Sequence, residues 1–154
     1  MGRPLAGYMA LFGVWFVLIV AGLDQRFGWT SQISTWVQII ALVLMVLGSL
    51  LTISALAANR YFSGYMRIQK ERGHTVATTG PYRYVRHPGY LGAMIFYLAT
   101  PLLLDSQWAF IPAGLYLTIA VIRTSLEDHT LQEELDGYEA YTRDIRYRLV
   151  PGIW

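Results

Sequence analysis

Thr79-Gly80-Pro81-Tyr82-Arg83-Tyr84-Val85-Arg86-His87-Pro88-Gly89-Tyr90 is a polar, aromatic segment set between strongly apolar stretches of the chain. Two Arg, one His, three Tyr and two Pro make it unsuited to lipid tails and too constrained for a flexible tether. Beside membrane helices, a segment of this kind is built to grip something polar at the membrane face. The chain therefore reads as an all-α integral membrane protein carrying an enzymatic site, not as a passive anchor.

Working outward, the charge pattern supports the same reading. The 154 residues are 55% hydrophobic and 14% charged, a balance that points to a membrane protein. Before residue 59 the charges are Arg3, Asp24 and Arg26, and between Tyr90 and Ile122 there is only Asp105. Nearly all others fall in two blocks, residues 59–88 and 123–148. A soluble domain spreads charge over its surface, whereas this spacing suits a bilayer with two polar patches. The net charge of +2 follows from that topology and gives no argument for nucleic acid. The absence of cysteine excludes disulfides, zinc-thiolate sites and thiol nucleophiles.

Residues 5–23 are long enough to cross ~30 Å of hydrocarbon as a helix and lack a cleavage pattern, so they read as a retained span. Residues 1–6 lack the Ser or Thr of a myristoylation signal. Residues 24–29 form a polar turn, and residues 33–58 return as a second span, with Ser31 or Ser34 as its cap and Gly48 and Ser49 on a small-residue face. In residues 59–89, Arg60, Arg67, Lys70, Arg72, Arg83 and Arg86 oppose a single Glu71, which places this loop in the cytoplasm. Arg3 puts the N-terminus on the same side. Residues 90–104 and 108–122 form a short or tilted hairpin about the turn at Asp105-Ser106-Gln107, with Pro112 expected to kink the returning helix. That helix continues to about Leu135 and ends at Gly137, a residue suited to a left-handed cap. Four membrane helices thus deliver two polar blocks to one cytoplasmic face. Residues 1–154 are read as a single domain, with two N-terminal membrane helices in 1–58 and a catalytic core in 59–154.

Several residues in those blocks could carry chemistry. Arg123 and Glu127 stand four apart on one helix and share a face. Glu133, Glu134 and Glu139 read as members of a solvated face. Arg86 and His87 precede Pro88, an early helix residue, where an anion or a ligand carboxylate would be held; contact with lipid phosphates is the plainer use. The segment His74-Thr75-Val76-Ala77 reads as extended backbone between the turn-forming Gly73 and Gly80, able to hold an adenine edge. No phosphate loop, Ser-x-x-Lys or His-x-x-x-His pattern is present, and three dispersed His give no metal site.

With these residues in view, the chain resembles the isoprenylcysteine carboxyl methyltransferase family and the related phospholipid N-methyltransferases. The resemblance covers roughly residues 59–154. It rests on Gly73-His74-Thr75-Val76, on residues 80–92, on the Arg123 to Glu127-Asp128 helix, on Gly137-Tyr138-x-x-Tyr141, and on Arg146-Tyr147-Arg148-Leu149-Val150-Pro151-Gly152-Ile153-Trp154. It implies an integral membrane methyltransferase that uses S-adenosylmethionine, while the charge pattern places the site and both termini on the cytoplasmic side. It further implies that Gln69, His74, Thr75, Val76, Ala77, Tyr82, Arg86, His87, Pro88, Gly89, Tyr90 and Glu127 bind the cofactor. Arg123 is implied to face a lipophilic acceptor, foremost the carboxylate of an isoprenylcysteine-like or prenylated substrate. Where the family often has Glu-Glu, this chain has Glu127-Asp128. Three alternatives stand beside this one: a phospholipid N-methyltransferase, an NADPH-dependent membrane enone or sterol reductase with a similar Arg-His-Pro-x-Tyr-x-Gly signature, and a non-enzymatic lipid-binding protein.

Overall fold

Helix α2 (Thr35–Ala58) turns the pattern of a soluble protein inside out. Its buried residues are Ala41, Gly48 and Ala55, a stripe of small side chains at seven-residue spacing. Its large side chains face outward: Trp36 is 75% exposed, Ile40 59% and Ile53 59%. Such a surface suits hydrocarbon rather than water, because small inward residues let helices approach while bulky apolar ones meet lipid.

The chain's computed structural model describes residues 5–30, 32–62, 68 and 70–154, and for 5–12 and 70 the backbone alone. Five α-helices follow in order: α1 (Leu5–Phe27), α2, α3 (Pro88–Leu103), α4 (Phe110–Glu134) and α5 (Tyr138–Asp144). Short 3-10 turns lie at Lys70–Arg72 and Gly80–Arg83, and no strand occurs among the described residues. Two of the four expected crossings, α2 and α4, are long and apolar enough to span a membrane among the described residues. In each, 17% of the most apolar window is buried, so neither is the core helix of a soluble protein. Helix α3, with 16 residues, reaches only ~24 Å and matches the short third segment expected from sequence.

Helices α2 and α3 touch backbone to backbone. A Cβ added at Gly92 would lie 2.5 Å from the carbonyl oxygen of Gly48, and one added at Gly48 would lie 2.6 Å from that of Gly92. Thr52 Oγ1 donates to the Gly48 carbonyl at 3.0 Å. This contact fixes the start of α3, and the motif before it, against the end of α2. Val17, Ala21, Tyr97, Ala109 and Ala113 bind α1, α3 and α4 into one core.

At the opposite pole the turns are tied together. Helix α1 runs through the expected turn at Asp24 to Phe27 and stops at Gly28, whose φ is +65°. The buried Asp24 carboxylate accepts from the Thr30 amide at 2.8 Å and from the hydroxyls of Thr30 and Ser106. Asp105 accepts from the Ile33 amide at 2.6 Å, and Gln25 donates to the Asp105 carbonyl at 2.7 Å.

Two local expectations are corrected. Pro112 is the third residue of α4, in the first turn, where its missing N–H costs no intrahelical bond and no kink is required. Ser34 occupies the position before α2 without a side-chain capping bond, while Ser31 lies outside the described residues. Beyond Gly137 the chain forms a further short helix, α5. As expected, Gly137 is left-handed at φ +85°.

Candidate active site

Pro81 presets the first turn of the 3-10 segment, which closes when the Tyr82 amide donates to the Thr79 carbonyl at 3.2 Å. The turn sorts the motif's side chains. Tyr82, Val85, Arg86 and His87 go inward, whereas Arg83 is exposed and Tyr84 is 73% exposed. Beyond it the chain is too short of local partners to form helix, and its amides bond to the tail: Arg86 N to Tyr147 O at 3.0 Å, and His87 N to Arg148 O at 2.9 Å. Pro88 then opens α3 at a position that needs no donor.

Beneath the motif lies Asp128, with no exposed surface. It continues the buried face of α4 that runs through Ala113, Ala120 and Thr124. Its Oδ1 receives Tyr138 Oη at 2.9 Å, His87 Nε2 at 3.2 Å and Arg86 Nη1 at 3.4 Å. Its Oδ2 receives Gln132 Nε2 at 2.8 Å and Arg148 Nε at 2.9 Å. One carboxylate thus joins the motif, α4, α5 and the tail. Paired and hydrogen-bonded in this way, its charge is tolerated in a buried place.

Above this cluster opens a pocket that is partly open to the outside and encloses a volume of about 80 Å³. One wall is aromatic: the rings of Tyr61 and His74 stack at 4.5 Å, and the Tyr61 hydroxyl donates to the Gly73 carbonyl at 2.7 Å. Burial pushes the His74 pKa down and disfavours its charged form. Burial likewise raises Tyr82, Tyr138 and Tyr141, with the charge of Glu127 adding to Tyr82 and that of Asp128 to Tyr138. These phenols remain protonated donors at neutral pH. A further wall carries Glu127, reached by the Tyr90 hydroxyl at 2.8 Å; the same hydroxyl accepts from Arg123 Nε at 2.6 Å.

The sequence-derived residues are distributed as follows. His74, Val76, Ala77, Tyr82, Arg86, His87, Gly89, Tyr90 and Glu127 line the pocket. Thr75 is exposed and outside its lining, and Pro88 is buried beside it at the start of α3. Arg123 stands behind the lining and is joined to it through Tyr90. Gln69 lies outside the described residues. Asn59, Tyr61, Tyr138 and Tyr141 also line the pocket, the last two being part of the resemblance but not among the expected site residues. The spacing of Tyr138 and Tyr141, three apart on a helix, is the signal that could have found the last two. His129–Glu133 and Arg143–Glu139 form exposed i,i+4 pairs, the solvated face expected for Glu133 and Glu139. Among the described residues, no group of three or more His, Asp or Glu is placed to hold a metal ion.

Comparison with known proteins adds a family to this geometry. A family model described as phospholipid methyltransferase matches residues 36–136. The protein-S-isoprenylcysteine O-methyltransferase of Schizosaccharomyces pombe is 40% identical over 108 residues, 68% of this chain and 46% of that protein. Its counterpart in Saccharomyces cerevisiae is 30% identical over 117 residues, 75% of this chain and 47% of that protein. The cobalt-zinc-cadmium resistance protein CzcN of Cupriavidus metallidurans is 34% identical over 142 residues, covering 85% of this chain and 59% of that protein. The chain thus spans less than two thirds of the length of these relatives.

Proposed function

Since the chain belongs to the phospholipid methyltransferase family, we propose that it is an integral membrane methyltransferase with S-adenosylmethionine as donor and a lipophilic carboxylate as acceptor. The observation that carries this reading is convergence. The His74 segment, the motif through Tyr90, and Glu127 meet in one pocket at the end of apolar helices. His87 and Glu127, forty residues apart, face the same space. We take α1 to α4 as four crossings with the pocket on the cytoplasmic side, in line with the basic excess of residues 59–89.

The residues fit the donor's chemistry. It has an aromatic base, a ribose, a carboxylate and two cationic centres. The stacked Tyr61 and His74 suit the base, and Glu127 suits hydroxyls or a cation. Arg86 supplies a further argument: it lines the pocket, its side chain is 8% exposed, and its Nε finds no partner among the described residues. A buried donor without an acceptor is costly, and a ligand carboxylate would satisfy it. When bound, the cofactor supplies a methyl group already activated on a sulfonium. The chain's own contribution is to align the partners and exclude water.

Arg123 lies where α4 leaves its apolar stretch, next to the exposed Ile122. Its planar fork suits a carboxylate that arrives from lipid. Arg123→Ala is expected to lower turnover at least about tenfold while donor affinity is largely kept, since a charge-assisted bond in a shielded site is worth ~1.5–3 kcal/mol. Turnover at the wild-type rate would remove Arg123 from this role. The family description favours a second acceptor class, a phospholipid, and the resemblance to phospholipid N-methyltransferases implies methylation of its headgroup amine. Incubation with labelled methyl donor and a total lipid extract, followed by identification of the labelled species, decides between acid and amine. Calorimetry with S-adenosylhomocysteine and with NADPH tests the donor itself: heat from NADPH alone would replace this reading with a reductase, and heat from neither with a lipid-binding protein.

A further inference from the structure

We propose that residues 145–154 are a built part of the donor pocket's support, and that Arg148, acting through Asp128, is a positioning residue for Arg86 and His87. The proposal rests on the donor reading of the pocket given above. None of these ten residues lines the pocket. They nevertheless hold the two motif residues that do, in two independent ways.

The first is through the backbone. The stretch between the 3-10 turn and α3 takes the carbonyls of Tyr147 and Arg148 as partners for its successive amides, at 3.0 and 2.9 Å. Without the tail, two amides in a buried stretch would have no acceptor, and the direction in which Arg86 and His87 point would no longer be set.

The second is through the side chains. Arg148 Nε donates to Oδ2 of Asp128, while Arg86 and His87 share Oδ1 of the same carboxylate. A carboxylate anchored on one oxygen presents the other at a fixed angle. Arg148 thereby orients the acceptor to which His87 gives its Nε2 edge, and so fixes which edge of the imidazole is left for the pocket. The tail is itself folded back for this purpose. The Leu149 and Val150 amides donate to the Trp154 carbonyl at 3.0 and 3.1 Å, Leu149 is 2% exposed, and the Arg148 guanidinium lies 4.9 Å from the centre of the Trp154 ring. Trp154 therefore limits the rotamers open to Arg148.

The test uses the full chain in detergent, with S-adenosylhomocysteine as the calorimetric probe and ligand-free thermal unfolding as the control. Arg148→Ala is expected to weaken the dissociation constant about tenfold, the lower end of what loss of a supporting partner costs in other preorganised sites. Arg148→Lys, which keeps the charge and loses the planar Nε donor, should fall between it and the wild type. Trp154→Ala should weaken binding about two- to fivefold. A merely structural role gives a different result: the fraction of competent protein falls, while the dissociation constant of what remains is unchanged. That result, or wild-type affinity in both Arg148→Ala and Trp154→Ala, would overturn the inference and leave the donor reading standing. A wild-type protein that takes no S-adenosylhomocysteine overturns both.

Discussion

Asp128→Ala is expected to destabilise the protein by about 3–5 kcal/mol, because it removes one partner of a buried charge cluster and leaves the others in place. Arg86 would lose its ionic partner within a site where its side chain is 8% exposed. Arg148, Tyr138 and Gln132 would lose an acceptor at the same stroke. Asp128→Asn keeps the volume and one good acceptor oxygen, but turns an amide N–H₂ toward donors, so it should lie between the two. For a chain of this size the alanine variant should melt roughly 6–20 °C lower. Melting at the wild-type temperature would mean that the guanidinium groups find other acceptors, and that the cluster is not the keystone of the site.

Gly92→Val is the second large effect expected. The new side chain would start 2.5 Å from the Gly48 carbonyl, and the obstacle is backbone on a facing helix, not the tip of a flexible side chain. Overpacking usually costs ~1–3 kcal/mol, and a backbone obstacle places this case at or above the upper end. Relief requires α3 to move away from α2, which carries Pro88, Gly89 and Tyr90 with it. Activity should therefore fall even in the fraction that folds. Gly114→Ala on α4 is the matched control: a Cβ there meets nothing within 4 Å, and the change should be neutral or stabilising by ~0.4–1 kcal/mol. Equal melting temperatures for Gly92→Val and Gly114→Ala would show that α2 and α3 do not depend on this close approach.

What could be read from the sequence, and what could not, follows from the range of the interactions involved. Helices α2 and α3 are set by local composition and by Pro88, and they lie within two residues of where the apolar runs place them. The motif's inward and outward sorting follows from Gly80 and Pro81, which fix a turn whatever surrounds it. Asp128 is different. It reads as the neighbour of Glu127, because its partners come from His87, 41 positions back, and Arg148, 20 positions on. No local pattern reports that convergence, although the spacing of Ala120, Thr124 and Asp128 places all three on one buried face. Helix α5 is hard to read for a related reason: seven residues are too few to hold a helix by propensity alone, and it is held by burial of Tyr138 and Tyr141 against Leu135. Pro112 predicts a kink by its residue type alone, whereas its position in the first turn of α4 means that it bends nothing.

The bonds among Asp24, Thr30 and Ser106 pin the bend between the first two helices to the bend between the next two. Two hairpins fastened at that bend and again along the Gly48–Gly92 seam form a braced frame. Tyr90 is carried two residues before that seam, on the braced part, so the wall it lends to the pocket is stiff.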